Sequence, residues 1–426
     1  MSGGAIQAGL TWIDGEFVEG VRVDVGDDGR IAAVEHGSTA AVTHPRTALL
    51  PGFINAHSHA FQRGLRGLGE QFPADREDFW TWREAMYGLV ESLDADRMHS
   101  LCVSAFSEMR RSGITTVGEF HYLHHVAGGA FEGDRIVLAA AAEVGIRIVL
   151  LQAHYVTGGI GQPLAGGQRS FDTSNLDVYW ESFDAAQSLC VPGQTMGVVA
   201  HSIRAVPINQ VVELHSQAKA RGLVVHMHVE EQHAEIESCR SAYGHTPTGL
   251  LLDQLDLGSE FTAVHDTHTT AAELEAFLDR GCNVCLCPLT EANLGDGFPN
   301  RSVLHDHLGS VCIGTDSNAR ISMLEELRMA ELGHRLDGRL RGAWPNANGM
   351  IDQPLLDMAT VNGAKALGVD AGRIAPGCWA DFALVDLDAD TLRHVGPASL
   401  AAAMVLGADR EIMLDTCIAG RWGGAG

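Results

Sequence analysis

Two histidines, His57 and His59, close the run Pro51-Gly52-Phe53-Ile54-Asn55-Ala56-His57-Ser58-His59. Leu49, Leu50, Phe53 and Ile54 make the approach apolar, so it reads as one buried strand. Residues two apart on a strand face the same way. The two imidazoles therefore converge and can share one divalent metal. Two more ligand candidates end later apolar runs: His228 closes 223–228 and Asp316 closes 311–316. Three neutral imidazoles and one carboxylate suit Zn²⁺, with Fe²⁺ as the alternative. A catalytic centre of this kind keeps a position open for water, whose pKa drops from about 15.7 toward roughly 7.

Groups able to move protons or hold a substrate cluster around those ligands. Glu231 lies three residues past His228 and can relay a proton between such a water and a leaving amine. Glu230 is a rival that spacing alone does not separate from it. His265 ends the run 261–265 and can orient the water, with His268 as its rival in the following loop. Arg204, in His201-Ser202-Ile203-Arg204, offers a planar fork for a substrate carboxylate. His226, two residues deeper than His228, reads as a packed core histidine. Cys282, Cys285 and Cys287 sit in an apolar run and read as a core strand rather than a metal cluster. The fourth strand has no Lys of the kind that, when carboxylated, bridges two metals, so one metal is expected.

These residues need a scaffold that brings distant strand ends together. Apolar strand candidates end at Ile54, Glu119, Gln152, His201, His228, His265, Cys287 and Asp316. Helical stretches alternate with them, at 94–112, 207–221, 271–280 and 323–336. Eight strands alternating with helices predict an α/β fold, a (β/α)8 barrel whose chemistry lies at the C-terminal strand ends. Short alternating segments with turn signals occur at both chain ends: 11–17, 21–25, 31–34, then 380–385 and 412–420. They predict one small β-domain built from 1–48 and 375–426, around a barrel at 49–374.

Lys and Arg total 29 against 54 Asp and Glu, for a net charge of −25. That balance makes nucleic acid and anionic membranes poor partners; it reads as solubility, and the charge of a small-molecule substrate must be read from the site. No apolar run is long enough for a membrane span. The start, Met1-Ser2-Gly3-Gly4, shows no signal-peptide pattern. Nine scattered cysteines then fit a reducing cytoplasm.

Together these residues resemble the amidohydrolase superfamily, in its mononuclear deaminase branch. The opening Leu50–His59, the strand ends and Asn362-Gly363-Ala364-Lys365-Ala366-Leu367-Gly368 carry the resemblance. So does the closing Gly372-Arg373-Ile374-Ala375-Pro376-Gly377-Cys378-Trp379-Ala380-Asp381. It spans essentially the whole chain. Three stretches are more specific and are similar to the deiminases of N-formimino-L-glutamate. They are His57-Ser58-His59-Ala60-Phe61-Gln62-Arg63, Phe79-Trp80-Thr81-Trp82-Arg83, and Thr290-Glu291-Ala292-Asn293-Leu294-Gly295-Asp296-Gly297.

The resemblance implies a TIM-like barrel with a small β-sandwich domain and one Zn²⁺ per subunit on His57, His59, His228 and Asp316. Catalysis would fall to Glu231, His265 and Asp316, which decides both rivalries. The substrate, a dicarboxylic N-formimino amino acid, would be held by Gln62, Tyr122, His201 and Arg204. A homodimer is also implied. The reaction would be hydrolysis of N-formimino-L-glutamate to N-formyl-L-glutamate and ammonia, in histidine degradation. The alternative is a related deaminase of another N-formimino amino acid or a guanine-like ring. Three positions depart from the family: Asn318 in place of a His, Leu289 in place of a small polar residue, and a shorter segment at Gly297-Phe298-Pro299. All three are expected near the mouth of the site, where they would tune substrate choice.

Overall fold

The structure, a computed structural model, describes residues 4–38, 43–70 and 79–423. Eight parallel strands form one continuous sheet in chain order. They are Phe53–Ser58, Ile114–His121, Arg147–His154, Gln194–Ala200, Val225–Val229, Phe261–His265, Asn283–Leu286 and Val311–Ile313. All eight are buried along their length apart from one exposed position, Thr195 in the fourth. That pattern is expected of parallel strands covered on both faces. Helices between them match the sequence expectation closely. Ala95–Arg111 starts on Asp94, whose side chain accepts from the Arg97 amide, and Ile208–Ala220, Ala271–Asp279 and Met323–Gly338 follow.

The barrel closes through the segment after the eighth strand. The Thr315 and Asp316 amides both donate to the His57 carbonyl, at 2.9 and 3.0 Å, and the His59 amide donates to the Asp316 carbonyl at 2.9 Å. Asn55 adds a side-chain clasp, donating to Thr315 Oγ1 at 2.7 Å and accepting from the Thr315 amide at 3.0 Å. Gly314 permits this seam, because a Cβ there would lie 2.6 Å from His57 Cβ.

The apolar approach to His57 is two strands, not one. His44–Pro51 belongs to a second sheet, where Leu49 and Leu50 pair with Leu384 and Ala383. The barrel strand begins only at Phe53. Gly52 separates them, and its amide donates to the Asp381 carbonyl. The second sheet orders Arg421–Trp422, Met413–Ile418, Phe382–Asp386, His44–Pro51, Ala8–Ile13 and Glu16–Val18. A third sheet joins Ala5–Ile6, Arg22–Val25 and Ile31–Glu35. Ile6, Val23 and Ile31 of the third sheet pack with Leu49 and Phe382 of the second in one apolar cluster. Both chain ends thus build a small β-sandwich.

Arg147, at the start of the third barrel strand, ties sandwich to barrel. It makes a buried two-pronged pair with Asp381, at 2.8 and 3.1 Å, and lies 4.0 Å from the Trp379 ring centre.

Candidate active site

Four side chains meet at the closing seam. His57 Nε2 and His59 Nε2 lie 3.3 and 3.2 Å from Asp316 Oδ1, and His228 Nε2 lies 3.2 Å from His57 Nε2. All four residues are buried. His59 Nδ1 donates to the Phe120 carbonyl at 2.7 Å, which leaves its Nε2 lone pair facing the cluster. Burial holds His57 down to about 3 and His228 well below the usual imidazole range, with neighbouring histidines adding to the effect. Burial resists charge on Asp316, but the two imidazoles beside it outweigh that and hold it well below the carboxylate range. Neutral His57 and His228 nitrogens, the His59 Nε2 and an ionised Asp316 oxygen therefore converge. The donor set and its protonation fit one divalent cation of the zinc type.

The backbone bends sharply to aim these groups. Glu230, His265, Asp266, Asp316 and Asn318 all have positive φ, between 45° and 79°. Left-handed backbone costs a non-glycine residue, about 1–3 kcal/mol where it is held against preference. Its concentration at the ends of the fifth, sixth and eighth strands marks a functional rim.

Glu231 and Glu230 part ways at that bend. Glu231 Oε1 lies 3.9 Å from His265 Nε2, and Oε2 lies 3.5 Å from Arg204 Nη2. Glu230 turns away and accepts from the Thr248 amide at 2.9 Å. His265 Nε2 is 3.8 Å from Asp316 Oδ2, whereas His268 stacks on His233 away from the cluster. The structure thus gathers Glu231 and His265, not their rivals, beside the His57–His59–His228–Asp316 cluster. Burial opposes charge on His265, but a hydrogen bond to Glu291 and the charges of Glu231 and Asp316 push it up to about 10. A dication on the four ligands would oppose that positive charge.

Gln62, Tyr122, His201 and Arg204 line one cavity with His59, His228, Glu231, His265 and Asp316. Gln62 Nε2 donates to the Tyr122 hydroxyl at 2.6 Å. His201 packs edge-on to Tyr155, Tyr122 and His228, and burial holds it neutral, helped by nearby Arg204. Of the more specific motif stretches, the side chains of Phe79, Trp80 and Thr81 lie outside the described residues. Trp82 and Arg83 line the cavity.

Three site residues escaped the sequence reading. Glu291 holds His265 Nδ1 at 3.3 Å and accepts from the Cys287 amide at 2.9 Å. It lies within the Thr290–Gly297 stretch already singled out, which was its signal. Arg83 donates from Nε to the Tyr87 hydroxyl at 2.6 Å, both on helix Phe79–Ser92 and both at the cavity wall. Glu235, buried in the first turn of helix His233–Tyr243, lies 3.9 Å from Arg204 Nε. Burial raises Glu235 to about 7 against the pull of Arg204. No spacing rule picks it out.

The three departures prove not to line the cavity. Asn318 is buried behind the cluster, donating to Ser58 Oγ and the His59 carbonyl, both at 3.0 Å, and accepting from Thr315 Oγ1. It pins the seam rather than facing substrate. Phe298 packs on His334, and the Leu289 amide is bound by Glu326. Cys282, Cys285 and Cys287 are buried as expected, although Cys287 also comes close to His265 and Asp316. His226 is buried with Nε2 donating to the Ala366 carbonyl at 2.9 Å, a core histidine.

The Amidohydrolase family matches residues 48–423. The chain belongs to the amidohydrolase family. Within this family it is 36% identical to a formimidoylglutamate deiminase of Pseudomonas aeruginosa, over 95% of this chain and 91% of that one. It is 29% identical to a 5-methylthioadenosine/S-adenosylhomocysteine deaminase of Haloarcula marismortui, over 87% and 81% of the two chains. A crystal structure of an amidohydrolase from Brucella melitensis superposes with a TM-score of 0.90 at 30% identity, covering 99% of this chain and 94% of that one. An adenosine deaminase from Xanthomonas campestris, with bound zinc, gives 0.82 at 25%, covering 98% and 92%. This amidohydrolase is accordingly an enzyme that hydrolyses C–N bonds. No helix among its described residues is long and apolar enough to cross a membrane.

Proposed function

We propose that the chain deiminates N-formimino-L-glutamate, releasing N-formyl-L-glutamate and ammonia. The observation that carries this reading is one cavity lined both by Arg204 and Arg83 and by His59, His228 and Asp316 of the four-residue cluster, with Glu231 lying 3.5 Å from Arg204 and 3.9 Å from His265. The similarity to the Pseudomonas deiminase supports it. His57, His59, His228 and Asp316 would hold one Zn²⁺ per subunit. When bound, the metal supplies Lewis acidity, lowering the pKa of a water at neutral pH.

The chain's own groups do the remaining work. Arg204, with Gln62, Tyr122 and His201, grips the acidic tail and so fixes the formimino carbon near the ligands. Arg83 offers a second guanidinium for the second carboxylate. Asp316 and His265 orient the attacking water, and Asp316 accepts its proton. Glu231 delivers a proton to the imine nitrogen as the C–O bond forms. Glu231 then takes the proton of the new hydroxyl and passes it to the amine as the carbonyl forms and the C–N bond breaks, so ammonia leaves neutral, and the proton held on Asp316 restores Glu231 for the next cycle. Glu291 keeps the His265 ring turned toward the reacting centre. The reading includes a cytoplasmic homodimer as the working form.

A nucleoside deaminase is the competing reading, suggested by the methylthioadenosine deaminase relatives. 5′-Methylthioadenosine carries no carboxylate and S-adenosylhomocysteine carries one, whereas N-formimino-L-glutamate carries two to match two guanidinium groups. Ammonia release should be compared for N-formimino-L-glutamate, N-formimino-L-aspartate, 5′-methylthioadenosine and guanine, using zinc-loaded protein. Turnover of the glutamate compound well above the rest is expected. Preferred turnover of a purine would replace this reading with the nucleoside one.

A further inference from the structure

A second group of metal-capable side chains lies outside the cavity. His121 ends the second barrel strand, His124 follows three residues later, and Asp134 lies in the first turn of helix Glu132–Val144. All three are buried, and their donor atoms lie within 4.8 Å of one another. None lines the active-site cavity.

Hydrogen bonding around this group is incomplete in a telling way. His124 Nε2 donates to the Ala153 carbonyl at 2.8 Å, while Nδ1 faces Asp134 Oδ2 and Oδ1 at 3.0 and 3.2 Å. Gln152 Nε2 donates to Asp134 Oδ1 at 2.7 Å. A ligating imidazole typically gives its other N–H to a carbonyl, and a ligating carboxylate is typically held by a donor. Both arrangements are present, and His59 beside the main cluster uses the first of them. His121 is the least satisfied of the three. It is fully buried, yet neither ring nitrogen makes a hydrogen bond, although the Leu123 carbonyl approaches the ring. Burial holds it down to about 4, so it is a neutral base. Buried polar atoms without a partner are rare and call for an explanation. Gly133 makes room for the arrangement: a Cβ there would lie 1.9 Å from the Leu123 carbonyl oxygen and 3.1 Å from His121 Nε2.

We propose that His121, His124 and Asp134 form a second, structural site for a divalent first-row cation. Two imidazoles and a carboxylate suit Zn²⁺ and its neighbours. Enclosed between strands and helix, this site has no open face for substrate. Its role is to fasten the segment from His121 to Asp134, which carries Tyr122 to the cavity wall. The proposal does not depend on which substrate the enzyme takes.

Full-length protein, stripped by chelator and reloaded with excess Zn²⁺, tests it. Anomalous diffraction at the zinc edge should show a peak among His121, His124 and Asp134, separate from the peak at the main cluster. Elemental analysis should find a second equivalent of zinc per chain, which Asp134→Asn loses while the main-site equivalent stays. The variant should also melt at a lower temperature. A wild-type map with no peak there, and a single equivalent of zinc, would overturn the proposal in favour of a bare His124–Asp134 ion pair. Should Asp134→Asn fail to fold, the wild-type map decides alone.

Discussion

Glu231 faces two ways at once, toward His265 on one oxygen and Arg204 on the other. A carboxylate so placed can exchange a proton with the reacting centre while a fixed cation keeps it oriented. Glu231→Gln keeps the shape and removes the exchange. It should retain bound metal and lose at least about 10²-fold in kcat, the scale expected for a general acid–base group. Near-normal turnover would take Glu231 out of the chemistry. Arg204 has a different signature. Set mostly inside the protein, 3.5 Å from Glu231 and 3.9 Å from Glu235, it can exchange these pairings for a substrate carboxylate. Arg204→Ala should raise KM by about 10- to 100-fold, the worth of a charged hydrogen-bonded contact, with metal content unchanged. An unaltered KM for formiminoglutamate would remove the clamp. The residues gathered here were legible in the sequence as candidates, because they sit at or just past strand ends where apolar runs stop, although spacing alone did not part Glu231 from Glu230. Glu235 was not, since its importance comes from packing against a residue 31 positions earlier, which no local pattern encodes.

Strands and helices were read well where their periodicity was long, and poorly where two elements abut. The stretch before His57 carries unbroken apolar character across Gly52. Only pairing with the distant 382–386 strand reveals that its first half belongs to the sandwich. The same junction holds the Arg147–Asp381 pair, with side chains 4% and 2% exposed. Removing one partner leaves the other charge buried and alone. Arg147→Met should therefore destabilise the protein by about 3–5 kcal/mol. Chemical denaturation would measure it, and kcat of the protein that remains folded should match wild type. A loss under about 1 kcal/mol would mean the sandwich is held by apolar contact alone.

Across the whole molecule, burial of ionisable groups couples stability to pH. His226 is held neutral down to about 4 from an ordinary value of 6.5, chiefly by burial. The unfolded chain takes up this proton near 6.5, whereas the folded chain refuses it until about 4. The wild type therefore loses stability relative to His226→Gln as pH falls through that window, by about 1.4 kcal/mol per unit, and the difference is constant above it. Parallel denaturation curves between pH 8 and 4.5 would show this. A pH-independent difference would mean that His226 titrates alike in both states.

The seam that closes the barrel joins residues 260 positions apart, Asn55 and Thr315. At about 5–20 residues per second, roughly 10–50 s separate their emergence during synthesis. Throughout that interval His57 and His59 exist without Asp316, and the first strand lacks its last neighbour. A nascent chain therefore cannot complete this four-residue cluster until residue 316 has left the ribosome. Products terminated before Asp316 lack one corner of the cluster, so its assembly is a late event in synthesis.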